Sequence, residues 1–246
     1  MKTITIDAEN LHYRDLNNKI HEVLAGADEI IINNAMGQRY IADAVTKKVK
    51  FIINGIPGND LAVFMDGPEI IVNGNAQDAI GNTMNSGTIV VHGNAGDIAG
   101  YSMRGGKIYV RGNAGYRVGI HMKAYKENFP VVIIGGGVKD FFGEYLAGGL
   151  AIVLGLGSDK LPVGDFVGTG MHGGRIIIRT EKIDPRLLGK EVKAVELNKE
   201  DREILEKYVR DYCRYFKDLN ADDILASKFL KLYPFSHRPY GRLYAY

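Results

Sequence analysis

The sequence repeats itself every nineteen residues, and so short a period restricts the folds that the chain can adopt. Residues 69–87, EIIVNGNAQDAIGNTMNSG, are followed at once by residues 88–106, TIVVHGNAGDIAGYSMRGG. A degenerate copy begins at Glu29, and the pattern continues to about residue 180 with two insertions, at 126–130 and 159–165. The period predicts about seven coils, each burying its apolar surface against its neighbours.

Each repeat opens with a strand that has one buried face. Residues 69–73 run polar, apolar, mixed, apolar, polar, which is the period-two pattern of such a strand. Six residues are expected to point inward: Ile70, Val72, Ile89, Val91, Ile108 and Val110. Two or three short strands per coil, joined at glycine corners, fit nineteen residues.

Two columns of glycine mark corners that every coil turns in the same way, because glycine permits positive φ and close approach of backbones. The first column consists of Gly55, Gly74, Gly93, Gly112, Gly136 and Gly155. The second consists of Gly81, Gly100, Gly119, Gly143 and Gly168, with Ala62 before them.

A column of large unbranched side chains lies three residues beyond the second glycine. Its members are Met65, Met84, Met103, Met122, Leu146 and Met171. Methionine fills irregular interior space, so we interpret this column as a core ladder; a methionine-rich binding face is the alternative. Two polar columns follow the first corner, Asn75, Asn94 and Asn113 in one and Asp78, Asp97 and Asp140 in the other. Capping of turn amides explains both, and a cation held by the carboxylates is the alternative.

Together these columns predict an all-β fold, a single-stranded parallel β-helix with short flanking helices. A propeller blade needs more than nineteen residues. We divide the chain into an N-terminal strand and helix cap (1–28), the β-helix (29–182) and a C-terminal helical extension with an aromatic tail (183–246). Asn198 is expected to cap a helix to about residue 216, and Asn220 a second one to about residue 232.

Composition excludes several classes of function. The 31 Lys and Arg residues nearly balance the 29 Asp and Glu residues and form no basic block, so nucleic acid is not an expected partner. Cys213 is the only cysteine, which excludes an internal disulfide or a cluster held by several cysteines. The sequence shows neither a secretory leader nor a membrane-spanning apolar run, so we expect a cytoplasmic protein.

No constellation of catalytic, cofactor-binding or metal-ligating residues emerges from the sequence. The glycines of residues 135–137 follow a strand, but no helix follows them as a dinucleotide loop requires. The histidines occupy different positions in their repeats and share no metal-ligand spacing. We therefore predict a chain that is not catalytic alone.

Residues 93–106, GNAGDIAGYSMRGG, and their echoes from about 29 to 180 resemble the GXGXG domain that ends the large subunit of glutamate synthase. The whole chain resembles the stand-alone form of that domain. The resemblance implies a right-handed β-helix that organises two partners, a glutamine amidotransferase subunit and a flavin/iron–sulphur synthase subunit. FMN and an iron–sulphur cluster are then expected in those partners, and none in this chain.

Two further resemblances give alternatives. The same repeat is similar to one of the subunits of formylmethanofuran dehydrogenase, a molybdenum or tungsten enzyme of one-carbon metabolism. A β-helical polysaccharide lyase usually has longer coils, so it fits less well. In a regular rod the irregular elements distinguish one surface from another. We therefore expect a partner to contact an insertion or the tyrosine-rich tail, and the chain could also form homo-oligomers.

The methionine column generates a first test. Replacing Met103 by Ala removes a buried side chain and leaves a cavity, so the free energy of unfolding is expected to fall by about 2–4 kcal/mol in denaturant titrations. Rapid oxidation of Met84 and Met103 in the native protein would contradict an interior position.

Overall fold

The computed structural model describes residues 1–235; the last part of the aromatic tail, 236–246, lies outside the described residues. Strands β1 to β9 are parallel neighbours in chain order, and β11 and then β10 extend the same sheet in antiparallel pairings. The elements are β1 Thr3–Asp7, α1 Tyr13–Leu24, β2 Glu29–Met36, β3 Lys50–Ile56, β4 Asp66–Asn73, β5 Ser86–Val91, β6 Lys107–Val110, β7 Val131–Ile134, β8 Ala147–Val153, β9 Gly173–Arg179, a 3₁₀ turn Pro185–Leu187, β10 Val192–Glu196, α2 Lys199–Tyr215, α3 Ala221–Leu225 and β11 Phe229–Pro234.

The chain is an all-β solenoid of about six turns, so the predicted count of about seven was slightly too high. The predicted count included the degenerate copy from Glu29, which departs from the period because the next coil starts 21 residues later, at Lys50. The expectation of two or three strands per coil was also wrong. Each coil has one strand, because the residues beyond the first corner form turns bonded between coils without strand geometry.

The sheet register follows the repeat, so equivalent residues lie side by side. Glu69 pairs with Lys50 on one side and with Thr88 on the other. All six residues predicted to point inward are fully buried in the inner core. The methionine column lies in the same core, with Leu146 in its series, and none of its side chains is exposed.

The two glycine columns serve different physical needs. In the first, apart from the end members Gly55 and Gly155, φ is not positive; a Cβ atom at Gly74 would lie 2.5 Å from the carbonyl oxygen of Gly55. In the second column every φ lies between 65° and 73°. The first column thus permits close approach of coils, and the second permits a left-handed backbone.

The residues two positions before and two positions after each glycine of the second column also have a left-handed backbone. Ile98 and Ser102 flank Gly100 in this way, with φ of 51° at both. The Gly100 amide donates to Ile80 of the preceding coil at 2.9 Å, whereas the Ile98 amide donates to Tyr116 of the following coil at 2.8 Å. This alternation joins each coil to both neighbours.

A helix covers the N-terminal end of the rod, and helices and strands extend its C-terminal part. The predicted N-terminal cap is α1, which buries Leu16 and Ile20 in the inner core. The helix predicted from Asn198 is α2, but the second helix ends at Leu225, not near residue 232. The following residues form β11, because pairing with β9 satisfies the backbone of that strand. No helix within residues 1–235 has the length and apolar character needed to cross a membrane.

The two glycine roles can be separated by substitution. At Gly119 a Cβ would meet nothing within 4 Å, so only its φ of 72° opposes a side chain. Gly119→Ala should cost roughly 1–2 kcal/mol of unfolding free energy, and Gly119→Asn less, because asparagine tolerates the left-handed region. At Gly74 the obstacle is a carbonyl oxygen, so Asn should be no better than Ala. If denaturant titrations showed that Asn is less destabilising than Ala by the same amount at Gly119 and at Gly74, this distinction would be wrong.

Candidate interaction surface

The outward side of the sheet is partly covered by the C-terminal extension. The outward residues of β5 to β9 form an apolar column of Val90, Tyr109, Ile133, Ile152 and Ile177. Leu205, Val209 and Tyr212 of α2 pack on it in a second core. The column continues on β4, β3 and β2 with Ile71, Ile52 and Ile31, which are half-buried. The α2 helix is therefore part of the solenoid body, not a free arm.

Polar contacts fix α2 on this column. Asp211 accepts hydrogen bonds from Lys107 Nζ at 2.5 Å and from the Tyr109 hydroxyl at 2.8 Å. Burial alone would raise the pKa of Asp211, but these donors, with the charges of Lys107 and Arg214, hold it below its usual range. Burial raises the pKa of Tyr109, and the hydrogen bond to Asp211 adds to that rise. Both groups therefore keep their usual charge at neutral pH.

The N-terminus of α2 has its own anchor. Asn198 and Asp201 form a reciprocal capping box. The buried Asp201 side chain also pairs with Lys231 of β11 and lies 3.4 Å from the guanidinium of Arg175 on β9. One carboxylate thus joins the helix to two strands.

The polar columns beside the first corner bind the backbone of the next coil. Asn75 Oδ1 accepts the amide of Asn94 at 2.8 Å, and Asn94 Oδ1 accepts the amide of Asn113 at 2.7 Å. In the carboxylate column Asp78 accepts the Asp97 amide at 2.9 Å, and Asp97 accepts the Tyr116 amide at 2.8 Å. These bonds are the turn capping that the sequence analysis favoured over a cation site.

Aromatic side chains line the outside of the second glycine corner. His121 stacks on Tyr145 with ring centroids 5.1 Å apart, and Tyr101 meets the edge of His121 at 6.1 Å. We call Tyr101, His121 and Tyr145 the aromatic ladder. Tyr101 is 36% exposed and Tyr145 42%. Gly170 follows Tyr145 in this column, and a Cβ there would overlap the tyrosine ring.

A second stack runs beside the ladder. Phe141 and Phe166 stack at 4.9 Å, and Phe166 is 50% exposed. The guanidinium of Arg117 lies 4.7 Å from the Phe141 ring and donates to Glu144 at 3.0 Å. The corner edge therefore presents aromatic surface on a backbone that is bonded between coils, and such rings are favoured anchors in protein interfaces.

The two insertions border different parts of the rod. In insertion 126–130, Phe129 stacks on Tyr208 of α2 at 6.4 Å, and Asn128 packs over Gly105. Insertion 159–165 borders a cleft of about 640 Å³, which Arg179 and Lys182 line from the other side. Neither insertion extends the strands, so each adds an irregular feature to a regular surface.

Within residues 1–235 no three His, Cys, Asp or Glu side chains come close enough to hold a metal ion. His92 packs against Phe216 at 5.2 Å, and His121 belongs to the aromatic ladder. His237 lies outside the described residues. The columns of the repeat therefore provide corners, core and surface, and the expectation that flavin and iron–sulphur centres reside in partner subunits stays a prediction.

A parallel solenoid with glycine corners in each coil and an exposed aromatic edge defines the class of this protein. The GXGXG motif family matches residues 10–235, and the chain belongs to that family. An uncharacterized protein of Methanocaldococcus jannaschii is 50% identical over 255 residues, which span 99% of this chain and 97% of that protein.

A solved structure shares the fold. It is a chain of the formyltransferase/hydrolase complex (FhcABCD) from Methylorubrum extorquens, determined in complex with methylofuran. The TM-score is 0.62 at 16% sequence identity, over 92% of this chain and 91% of that one. At this identity the likeness shows a common fold.

Two features of the surface were not found from the sequence. The packing of α2 on the sheet was missed although the outward column from Val90 to Ile177 is apolar, because the alternating pattern was interpreted as one buried face. The aromatic ladder was missed because insertion 126–130 shifts Tyr145 out of the nineteen-residue phase. Aligning the coils on the second glycine places His121 and Tyr145 at the same position, two residues beyond Gly119 and Gly143, whereas Tyr101 stands one residue beyond Gly100.

The Asp211 anchor predicts a pH-dependent contribution to stability. Because the folded-state pKa lies below the usual 3.8, the carboxylate stabilises the fold above about pH 3.8, and this contribution is lost as pH falls through the folded-state pKa. Asp211→Asn should lower the free energy of unfolding at pH 7 by about 1–3 kcal/mol.

The control is Asp159→Asn, an exposed carboxylate in the second insertion. Denaturant titrations at pH 7 and at pH 3 should show little change in the free energy of unfolding for this variant. The deficit of Asp211→Asn should shrink at pH 3, and a deficit that persists undiminished there would show that Asp211 acts through packing instead of charge.

Proposed function

We propose that this protein is a non-catalytic structural subunit of a glutamate synthase-like complex, in which it organises the amidotransferase and flavin/iron–sulphur subunits. The observation that carries the proposal is the exposed aromatic edge on a rod whose coils are bonded to one another. A rigid body with a fixed, apolar outer edge is suited to holding other subunits at set positions. The GXGXG resemblance of residues 29–180 supports the choice of a glutamate synthase-like complex.

In such a complex the reactions belong to the partners. The amidotransferase would release ammonia from glutamine, and the synthase subunit, with FMN and an iron–sulphur cluster, would form glutamate from that ammonia and 2-oxoglutarate. This chain would contribute a constant spacing along a solenoid that we expect to be right-handed, as parallel β crossovers are. We expect the complex to work in the cytoplasm.

A second function is favoured by a specific observation. The chain of the formyltransferase/hydrolase complex is similar along almost its entire length, without a large unmatched domain on either side. Our alternative proposal is therefore a structural subunit of a formyl-transfer complex of one-carbon metabolism, similar to the formylmethanofuran dehydrogenase component that shares this repeat. The physical role of the rod would be the same, and only the identity of the bound subunits would differ.

Purification of the tagged chain from its native host tests these proposals. We expect stoichiometric co-purification with amidotransferase and flavin/iron–sulphur subunits, identified by mass spectrometry. Capture of formyltransferase or hydrolase subunits instead would support the alternative. The chain purified alone should show no flavin absorbance and no iron, and should not turn over glutamine or 2-oxoglutarate.

A variant in which insertion 126–130 is replaced by a two-residue turn tests where the partner binds. A partner that contacts this irregular surface should bind the variant more weakly. Recovery of the wild-type chain without any enzyme subunit, or a stoichiometric flavin in the isolated chain, would refute a structural subunit.

A further inference from the structure

Two cations that have no acidic partner within residues 1–235 occupy adjacent coils near the aromatic ladder. Lys123 follows Arg104 by nineteen residues, and the two side chains occupy equivalent positions in adjacent coils. The Arg104 amide donates to the carbonyl of Met84, and the Lys123 amide donates to that of Met103, the next member of the methionine column. We call Arg104 and Lys123 the basic column; both are exposed.

The described part of the chain places no carboxylate on this charge. Within residues 1–235 neither cation has a carboxylate within 4.0 Å. Glu144, on the neighbouring coil, is held by Arg117. The adjacent members of the column, Asn85 and Ala147, are neutral. By contrast, the half-buried Arg111 is paired with Asp218 at 2.6 Å.

The repeat fixes the spacing of the two cations. Adjacent coils are separated by the usual interstrand distance of about 4.8 Å, so the backbones that carry the two cations lie side by side and the two like charges repel each other. Such an arrangement costs stability in the isolated chain, and an anionic partner that lies along both side chains would remove the repulsion.

The basic column and the aromatic ladder form one surface. Arg104 lies three residues beyond Tyr101, and Lys123 two residues beyond His121, so the chain separates them by no more than about 10 Å. Asn128 of the first insertion packs over Gly105 and borders the basic column on the other side. The surface therefore combines a short cationic site, which can bind an anion, with a strip of exposed aromatic rings. An irregular loop borders it.

We propose that this surface binds an extended acidic segment of a protein partner, with carboxylates on Arg104 and Lys123 and apolar or aromatic side chains on the ladder. The proposal deepens the proposed function, on which it rests for the existence of a protein partner. Nucleic acid fits less well, because tight binding to a phosphate backbone needs many cationic contacts, and here two stand together in a chain of net charge +2.

A defined peptide tests the surface. The probe is a fluorescein-labelled octapeptide of alternating Glu and Tyr, measured by anisotropy against the full chain, with a Lys–Tyr octapeptide for comparison. We expect the acidic peptide to bind, and to bind more weakly as salt rises. Arg104→Glu combined with Lys123→Glu should lower its affinity at least tenfold. Tyr145→Ser should also lower it, which a purely electrostatic attraction would not predict.

The matched control is Lys190→Glu combined with Lys217→Glu, which changes the net charge equally at two exposed lysines away from this surface. Its affinity should stay within twofold of wild type, and circular dichroism melts should show all variants folded. The proposal would be overturned if the control lost as much affinity or if the wild-type chain did not bind the acidic peptide. It would also be overturned if the chain bound a twelve-nucleotide single strand more tightly than the peptide, or if sedimentation showed that self-association displaces the peptide.

Co-purification from the host separates the two levels of inference. If the wild-type chain captures enzyme subunits and the Arg104→Glu, Lys123→Glu variant captures them equally, the acidic-segment proposal is wrong and the structural-subunit role stands. If the peptide binds as expected but no enzyme subunit is captured, the surface is correct and the proposed complex is wrong.

Discussion

The structure depends on the absence of a side chain where successive coils come closest. At Gly74 there is no space for a methyl group between the backbones of two coils. The nineteen-residue spacing can be kept only if glycine stands at this corner in each inner coil, and the hydrogen bonds between coils follow from that contact. A displaced coil would bring a side chain into the corner, so the glycine column selects one register.

That single register gives every column its role. Methionines at equivalent positions meet in the core, where their flexible thioethers fill the space that the glycine corners leave. Asparagine and aspartate side chains reach the backbone of the following coil. On the outside, the same alignment stacks His121 on Tyr145 and places Arg104 beside Lys123. Core, corner and outer surface therefore follow from one periodic pattern, and a regular rod is its physical result.

Most of the solenoid could be predicted from the sequence because its contacts are between neighbours at a constant spacing. The inward residues, the two corners and the cap at Asn198 each have a local signal. The covering of the outer face by α2 and the pairing of β11 with β9 had none of comparable strength. They join segments far apart in the chain, and the short FLKLY run of β11 is too brief to distinguish a strand from the end of a helix.

The candidate surface was only partly predictable for a related reason. Insertion 126–130 borders the basic column, and its expected contact with a partner stays a prediction. The ladder has no constant spacing in sequence, because insertion 126–130 separates His121 from Tyr145 and because Tyr101 stands one position earlier in its coil than His121 does. Glycine columns are easy to find because each member is the same residue, whereas Tyr101, His121 and Tyr145 share only their planar rings.

The central claim is that the rod is fully formed before any partner binds. Hydrogen–deuterium exchange of the isolated chain tests it directly through the amides of Gly81, Gly100 and Gly119, which donate between coils. A preformed rod predicts slow exchange at all three, with similar rates and no further slowing when partner subunits are added. Fast exchange in the isolated chain that becomes slow only on assembly would contradict it, and would show that the partners fold the coils.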